Sequence, residues 1–307
     1  MLDCITGYHH VTSIASDPRR NNAFFCDVLG LRRVKKTVNF DNPSVYHLYY
    51  GDSLGTPGSV ITYFPFPNRA RGRRGIGEVA KVTFSVPHGS LAFWEKRLSE
   101  KGVSGISQSP VFSESQLLFE GPDGEAIALC ESARGVNSPA NHQINSDKAI
   151  TGLHSVQLCV GSESTIETVL DHLGYEVLSR QSGLTRFRHK IQTEVGYVDV
   201  ERSGSLAKSV ESAGSVHHIA FSVQTEADQE RARKSLLREG YKVTEVKDRT
   251  YFKAIYFRTE DGILIEIATN PPGFSVDETD ITLGNALKLP PQHEHLRNEL
   301  EKNLVAL

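Results

Sequence analysis

The sequence predicts an α+β fold built from four copies of one unit, in which a strand is followed by a helix and three more strands. A doubled histidine opens two of the copies, in "YHHVTS" at 8–13 and in "VHHIAFS" at 216–222. The segment "VAKVTFSV" at 79–86 repeats the second of these with lysine in the place of His218, and "GLHSVQLCV" at 152–160 is a fourth, weaker copy. Internal repetition of this kind is typical of a fold assembled from one supersecondary unit.

An aspartate–glycine turn recurs near the end of the units and sets their alignment. In the fourth unit it lies in "TEDGILIEIA" at 259–268. Aligned on this turn, Glu266 falls opposite Ala128 of the second unit and Thr62 of the first. A carboxylate where two sister units are neutral indicates that the fourth unit has a chemistry of its own.

The helix of each unit is marked by its ends or by its apolar spacing. "SDPRRNNAFFCDVLG" contains Asp17, which can cap a helix, and Pro18, which suits a first turn, and it ends at Gly30. "SLAFWEKRLSEKG" repeats apolar residues at helical spacing, and "EADQERARKSLLREG" again ends in glycine. We therefore expect four βαβββ units, near 7–66, 78–131, 151–201 and 215–270.

A polar, turn-rich stretch without periodicity, at 131–149, divides the units into two pairs. Such composition is typical of a linker. We expect an N-terminal domain at 1–135 with units one and two, a linker at 136–150, and a C-terminal domain at 151–307 with units three and four and the tail. Each pair of units is expected to form open, barrel-like sheets.

Composition restricts the partners and the compartment. The net charge of −3 argues against nucleic acid and anionic membranes as partners. The four cysteines include no C-x-x-C pair, so neither a disulfide framework nor a thiolate zinc site is predicted. The sequence begins without a secretory signal, and no apolar run approaches the roughly 18 residues of a membrane span. We therefore expect a soluble, cytoplasmic protein.

The doubled histidines are candidate metal ligands. Because side chains alternate along a strand, His10 and His218 are expected to face a common side, and His9 and His217 the other. Glu266 lies in the otherwise apolar strand "GILIEIAT", where an unpaired carboxylate would be costly to bury. Two histidines and one carboxylate are the ligand set of non-haem Fe(II) enzymes that activate oxygen. We expect these three residues to bind Fe(II) or Mn(II).

These features resemble the vicinal oxygen chelate superfamily, which contains glyoxalases, bleomycin resistance proteins and extradiol dioxygenases. Within it, the chain most resembles the ring-cleaving dioxygenases that act on hydroquinones. The resemblance runs over nearly the whole chain and is densest at 24–66. It implies the vicinal oxygen chelate fold, metal ligands from units one and four (His10, His218 and Glu266), and residues that orient the ligands and the pocket (His9, Thr12 and His217).

The segment "RTYFKAIYFRTEDGILIE" at 249–266 refines the resemblance. Extradiol catechol dioxygenases carry a signature histidine and tyrosine before the glutamate ligand. Here Tyr256 stands where the tyrosine belongs, but Glu260 replaces a signature proline and Arg249 occupies the position of the histidine. Arginine stays protonated, so it cannot act as a general base, although it can hold an anion. The hydroquinone subgroup is similar in having arginine there, which favours para-diols over catechols.

The expected function is therefore an Fe(II)-dependent ring-cleaving dioxygenase of aromatic compound degradation. O2 is the expected co-substrate and a small hydroquinone-type aromatic the expected partner, while a homo-oligomer is left open. Two alternatives share the fold: a glyoxalase-type isomerase or lyase with zinc or nickel, and a metal-free drug-binding protein. His154 is a competing ligand, because catechol enzymes draw one histidine from their third unit.

Overall fold

The computed structural model describes residues 2–132, 144–191 and 196–307. Within them, each of the four units has the predicted order of a strand, a helix and three strands. Units one and two comprise β1 (Ile5–Ala15), α1 (Pro18–Ala23) with a π-helical turn (Phe24–Val28), β2 (Arg32–Val38), β3 (Tyr46–Gly51), β4 (Val60–Pro65), β5 (Glu78–Val86), α2 (Leu91–Glu100), β6 (Ser107–Gln108), β7 (Gln116–Glu120) and β8 (Ala126–Glu131). Units three and four comprise β9 (Gly152–Val160), α3 (Glu163–His172), β10 (Tyr175–Gln181), β11 (Leu184–His189), β12 (Tyr197–Arg202), β13 (Val216–Val223), α4 (Glu226–Arg238), β14 (Lys247–Asp248), β15 (Lys253–Arg258) and β16 (Leu264–Thr269). The predicted α+β class is confirmed.

The strands form two eight-stranded sheets. Their orders are β14-β15-β16-β13-β1-β4-β3-β2 and β10-β11-β12-β9-β5-β8-β7-β6. The first strand of each unit lies at the edge of that unit, and it pairs antiparallel with the first strand of another: β1 with β13, and β5 with β9. Unit one thus joins unit four, and unit two joins unit three.

Each sheet therefore takes strands from both sides of the predicted linker at 136–150. Residues 136–143 of that linker lie outside the described part of the chain. The division into domains at 1–135 and 151–307 stays a prediction.

The helices begin and pack as their sequences predict. Asp17 caps α1 by accepting hydrogen bonds from the backbone N–H groups of Arg19 and Arg20. Trp94 and Leu98 form the buried stripe of α2. Among the described residues, no helix has the length and the apolar character that crossing a membrane requires.

One face of the first sheet packs on helices and the other carries polar groups. On β3, Tyr50 stacks on Phe25 with the ring centres 5.2 Å apart, which is part of the hydrophobic core. Its neighbour Tyr49 points to the opposite face, as strand alternation requires. That opposite face also carries His10 and Thr12 of β1. The candidate site lies there.

The C-terminal tail closes around unit one. It contains two 3-10 turns (Phe274–Val276 and Pro291–Leu296) and α5 (Arg297–Asn303). The buried ammonium of Lys35 lies 2.6 Å from a carboxylate oxygen of Asp277 and 2.6 Å from one of Glu278. His293 Nε2 lies 2.9 Å from the carbonyl oxygen of Phe40, in the loop between β2 and β3. The tail thereby holds a loop that borders the site.

Candidate metal centre and active site

His10, His218 and Glu266 converge on one point in the first sheet. They lie on β1, β13 and β16, which are neighbours in that order of pairing. The two Nε2 atoms are 3.2 Å apart, and Glu266 Oε2 is 2.9 Å from His218 Nε2 and 3.5 Å from His10 Nε2. All three residues are buried, with Glu266 at 0% exposure. The structure brings together the three residues that the sequence predicted as ligands.

The chemistry of this group fits a divalent metal. Neither carboxylate oxygen of Glu266 accepts a regular hydrogen bond from the described residues, despite the short contacts to the imidazoles. Burial raises the pKa of Glu266, but His10 and His218 outweigh it and hold the pKa well below its ordinary value. A buried, ionised carboxylate without hydrogen bonds needs a cation. Two imidazole nitrogens facing the same point make a metal ion the cation that fits.

A β-bulge accompanies each doubled histidine. Tyr8 pairs with Phe221 and His10 with Ala220, so His9 is an extra residue on β1. In the same way Thr12 pairs with His218 and Ser13 with Val216, so His217 is an extra residue on β13. A bulge breaks the alternation of side chains and re-aims them.

The prediction that His217 points away from the site is therefore wrong, whereas His9 is not among the residues that line the cavity. His9 Nδ1 lies 2.8 Å from His10 Nδ1, and His217 Nδ1 lies 2.7 Å from His218 Nδ1. His217 also borders the cavity described below. The cause is the bulge, which a strict period of two cannot anticipate.

These contacts determine which ring nitrogens carry a proton and which keep a lone pair that could bind a metal. Burial lowers the pKa of His9 to about 3, so its ring is neutral near pH 7. The ring of His9 also bonds to the backbone of Thr269, and because Nδ1 faces His10 this bond is assigned to Nε2–H. His9 Nδ1 is then an acceptor for His10 Nδ1–H. The lone pair of His10 Nε2 is left to face Glu266, as a metal ligand requires.

Tyr256 and Arg249 lie beside the three ligands. Tyr256 is directly opposite Glu266 on β15, with its ring centre 5.8 Å from that of His218. Burial, with the Glu266 carboxylate second, raises the pKa of Tyr256, so the phenol keeps its proton. Arg249 Nε donates to Tyr256 Oη at 3.4 Å, and Arg249 Nη2 lies 3.3 Å from Asp41 Oδ2. Only 16% of the Arg249 side chain is exposed, so it is not a surface residue.

A cavity of about 290 Å³ opens onto the ligands. Its walls include the aromatic rings of Phe40, Phe64, Phe66 and Phe252. The polar lining comes from the ligands, from strand residues of units one and four, and from loop residues that include Asn39, Asp41, Asn42, Arg69, Glu211 and Arg249. Ligand pockets typically combine apolar walls with a few polar groups that fix orientation.

Three residues of unit one at this site were missed by the sequence reasoning: His47, Tyr49 and Thr62. His47 and Tyr49 line the cavity, and Thr62 bonds to both His47 and Thr12. Burial, followed by the charges of His10 and His218, lowers the pKa of His47 well below its ordinary value, so its ring is neutral. The repeat contained a signal for these residues, because Thr62 aligns with Glu266. Tyr49 pairs with Thr62 across β3 and β4, just as Tyr256 pairs with Glu266 across β15 and β16.

His154 is not part of this centre. It lies on β9 in the second sheet, where its Nε2 is 3.0 Å from Glu114 Oε2. Glu114, Cys130 and His154 form a second group whose atoms could hold a metal. In contrast to Glu266, Glu114 already has a cationic partner, because it accepts a hydrogen bond from Arg186 Nη1.

Arg186 also satisfies a second carboxylate at the centre of that sheet. Its Nε and Nη2 donate to the two oxygens of Asp199 at 2.7 and 2.9 Å. Arg186 pairs with Asp199 across β11 and β12 as Tyr256 pairs with Glu266 across β15 and β16. A guanidinium therefore lies where the first sheet leaves room for a metal.

The chain belongs to the Glyoxalase/Bleomycin resistance protein/Dioxygenase superfamily, whose family model matches residues 7–267. Its relatives include MhqO of Bacillus subtilis (strain 168), named as a ring-cleaving dioxygenase, at 38% identity over 97% of this chain and 96% of the relative. The chlorohydroquinone/hydroquinone 1,2-dioxygenase of Sphingobium indicum is 30% identical over 98% of this chain and 96% of its own. The predicted membership of this superfamily is confirmed.

Solved structures agree with the fold. A Bacillus subtilis structure described as a dioxygenase has a TM-score of 0.94 at 37% identity and covers 99% of this chain and 97% of its own. Glyoxalase I from Zea mays has a TM-score of 0.64 at 13% identity and covers 86% and 92%. The second likeness concerns the fold alone. The predicted vicinal oxygen chelate fold is confirmed.

Proposed function

We propose that this ring-cleaving dioxygenase depends on Fe(II) and opens the ring of hydroquinone-type aromatics, with O2 as co-substrate. The observation that carries the proposal is the convergence of His10, His218 and Glu266, with a buried carboxylate that lacks hydrogen bonds. Two imidazoles and one carboxylate are the protein ligands of non-haem Fe(II) oxygenases, and they leave coordination positions open. The name of the Sphingobium indicum relative supports the substrate class.

The three residues would hold the metal, and the metal would supply Lewis-acid and redox chemistry toward the diol and O2. The protein supplies the orientation of the ligands. His9 accepts from Nδ1 of His10, and Nδ1 of His217 forms a hydrogen bond with Nδ1 of His218; these contacts fix the two rings. Thr12, two residues after His10 on β1, accepts a hydrogen bond from Thr62 at 2.9 Å, which fixes the Thr12 side chain.

Tyr256 and Arg249 act on the substrate oxygen nearest the ligands. The protonated phenol of Tyr256 can donate to that oxygen, because it lies opposite Glu266 and beside His218. The guanidinium of Arg249 can stabilise negative charge on the same oxygen, since it is partly buried and fixed between Tyr256 and Asp41. The aromatic walls exclude water and hold the ring of the substrate.

A para-diol can give the metal only one oxygen, whereas a catechol can give two. We expect catechol to bind and inhibit but to be cleaved poorly, because its second oxygen takes a position that should serve O2 or the hydrogen bonds of the pocket. Cleavage is expected between the hydroxylated carbon and its neighbour.

Oxygen uptake after anaerobic Fe(II) reconstitution tests the proposal. The substrates are hydroquinone, methylhydroquinone, chlorohydroquinone and catechol. We expect uptake with the hydroquinones, and loss of uptake in Glu266→Gln but not in Glu114→Gln, which changes the second group instead. A kcat/KM for catechol equal to or above that of every hydroquinone would overturn the substrate assignment.

Metal analysis of the purified protein separates the alternatives. Iron supports the proposal, and manganese would support a ring-cleaving dioxygenase but overturn its dependence on Fe(II). Zinc or nickel indicates a glyoxalase-type isomerase or lyase, and no metal indicates a metal-free binding protein. A cytoplasmic location and a homo-oligomer stay predictions.

A further inference from the structure

A chain of hydrogen bonds lines the wall of the cavity that unit one provides. Tyr49 Oη lies 2.8 Å from His47 Nδ1, and His47 Nε2 lies 2.8 Å from Thr62 Oγ1. Thr62 Oγ1 in turn donates to Thr12 Oγ1 at 2.9 Å. All four side chains are buried, and His47 and Tyr49 border the cavity. The ligand and charge roles described above do not use His47 or Tyr49.

The direction of every bond in this chain can be worked out. Thr62 has one hydroxyl proton and gives it to Thr12, so Thr62 must accept from His47 Nε2–H. A neutral imidazole with its proton on Nε2 has a lone pair on Nδ1. Tyr49 therefore donates its proton to His47 Nδ1. The Tyr49 oxygen is left with acceptor capacity alone.

The position of Tyr49 complements that of Tyr256. Tyr256 lies on β15 next to the ligand Glu266, at the metal end of the cavity. Tyr49 lies on β3, on the far side of β1 and β4 from the ligands of unit four. Both tyrosines border the cavity, whose volume of about 290 Å³ is large enough for one small aromatic ring.

We propose that the Tyr49 oxygen accepts a hydrogen bond from the substrate hydroxyl that does not bind the metal, and that His47 fixes Tyr49 as an acceptor. This inference rests on the proposed function, since it concerns the second hydroxyl of a para-diol. A hydroxyl group can satisfy Tyr49, whereas a ring position without a donor leaves it unpaired. Tyr49 is thus a specificity-determining residue and His47 a positioning residue.

Anaerobic binding of hydroquinone and of phenol tests the proposal without turnover. Phenol keeps the hydroxyl that would bind the metal and lacks the second one. We expect the wild-type Fe(II) protein to bind hydroquinone about tenfold more tightly than phenol, the value of one buried hydrogen bond. In Tyr49→Phe the two compounds should bind about equally well, with unchanged metal content.

Tyr50→Phe is the matched control. It removes a buried hydroxyl from the next residue of the same strand, on the opposite face, where Tyr50 donates to Asn21 Oδ1 at 3.0 Å. We expect this variant to keep the tenfold preference. His47→Asn, whose amide oxygen can replace Nδ1 as acceptor, should keep the preference better than His47→Leu.

The outcomes distinguish this inference from the proposed function. A wild-type protein that binds neither compound overturns both. A wild-type protein that prefers hydroquinone, together with a Tyr49→Phe variant that prefers it equally, overturns only the role of Tyr49. Loss of the preference in Tyr256→Phe but not in Tyr49→Phe would assign the second hydroxyl to the wall of unit four.

Discussion

His9 Nδ1 lies 2.8 Å from Nδ1 of His10, the adjacent residue on the same strand. Adjacent residues of a regular strand point to opposite faces, so this contact depends on the bulge at His9. The same arrangement recurs at His217 and His218, with 2.7 Å between the Nδ1 atoms. Each doubled histidine is therefore one candidate ligand and one residue that contacts the Nδ1 atom of that ligand.

The orienting contact can be tested by removing the acceptor. In His9→Phe the Nδ1–H of His10 loses its partner, so we expect metal affinity to fall about 10–100-fold. His9→Asn offers an amide oxygen in place of Nδ1 and should recover part of the affinity. Competition with a metal chelator measures the effect, and equal affinity in all three proteins would show that His9 does not orient His10.

The ligand assignment predicts the loss of metal from three variants. His10→Ala, His218→Ala and Glu266→Ala should each bind the metal more than about 100-fold more weakly, because two donors hold a divalent ion poorly. Metal analysis and circular dichroism check occupancy and fold together. His154→Ala, in the second sheet, is the control and should keep its metal. The assignment is wrong if His10→Ala keeps full occupancy.

The role of Arg249 depends on the shape of its side chain as well as its charge. Arg249→Lys keeps the charge but loses the planar group that reaches both Tyr256 and Asp41. We expect unchanged metal content and a turnover lower by at least about tenfold. Arg233→Lys, which changes a guanidinium paired with Glu245 away from the cavity, should be without effect. Unchanged turnover in Arg249→Lys would remove Arg249 from the mechanism.

Glu114 gives a prediction about stability and pH. Burial raises its pKa, but His154 and Arg186 outweigh burial and lower the pKa to about 2. A carboxyl whose pKa is depressed by folding stabilises the fold above its unfolded value, near 4.5, and loses that effect as pH falls toward 2. Glu114→Gln should cost roughly 2 kcal/mol at pH 7 and much less at pH 3. Urea unfolding at both pH values measures this, and a cost that does not depend on pH would contradict it.

The candidate ligands could be predicted because they follow from the repeat. Aligned units show Glu266 where sister units carry Ala128 and Thr62, and a carboxylate in an apolar strand requires a cation. The orientation of His9 and His217 could not be predicted, since a bulge changes the face of a residue without a mark in the local pattern.

The expected ligand set brings units one and four together, but which of their strands pair could not be predicted. All four units begin with a similar strand, so nothing local states that β1 pairs with β13 rather than with β5. His47 and Tyr49 were missed for another reason. Their roles come from hydrogen bonds to Thr62 across β3 and β4, and the strand "YHLYYG" read alone is compatible with a core strand.

Because of Arg186, the two sheets differ in how their buried carboxylates are neutralised. Asp199 receives its positive partner, Arg186, from the chain itself. Its charge is therefore neutralised as soon as the second sheet folds. On the proposed function, Glu266 receives its positive partner from outside the chain, as a metal ion. The fold can thus assemble before it is loaded, with the second sheet as a permanent support. If the proposed metal dependence holds, protein made during metal shortage would be folded and would gain activity when the ion binds.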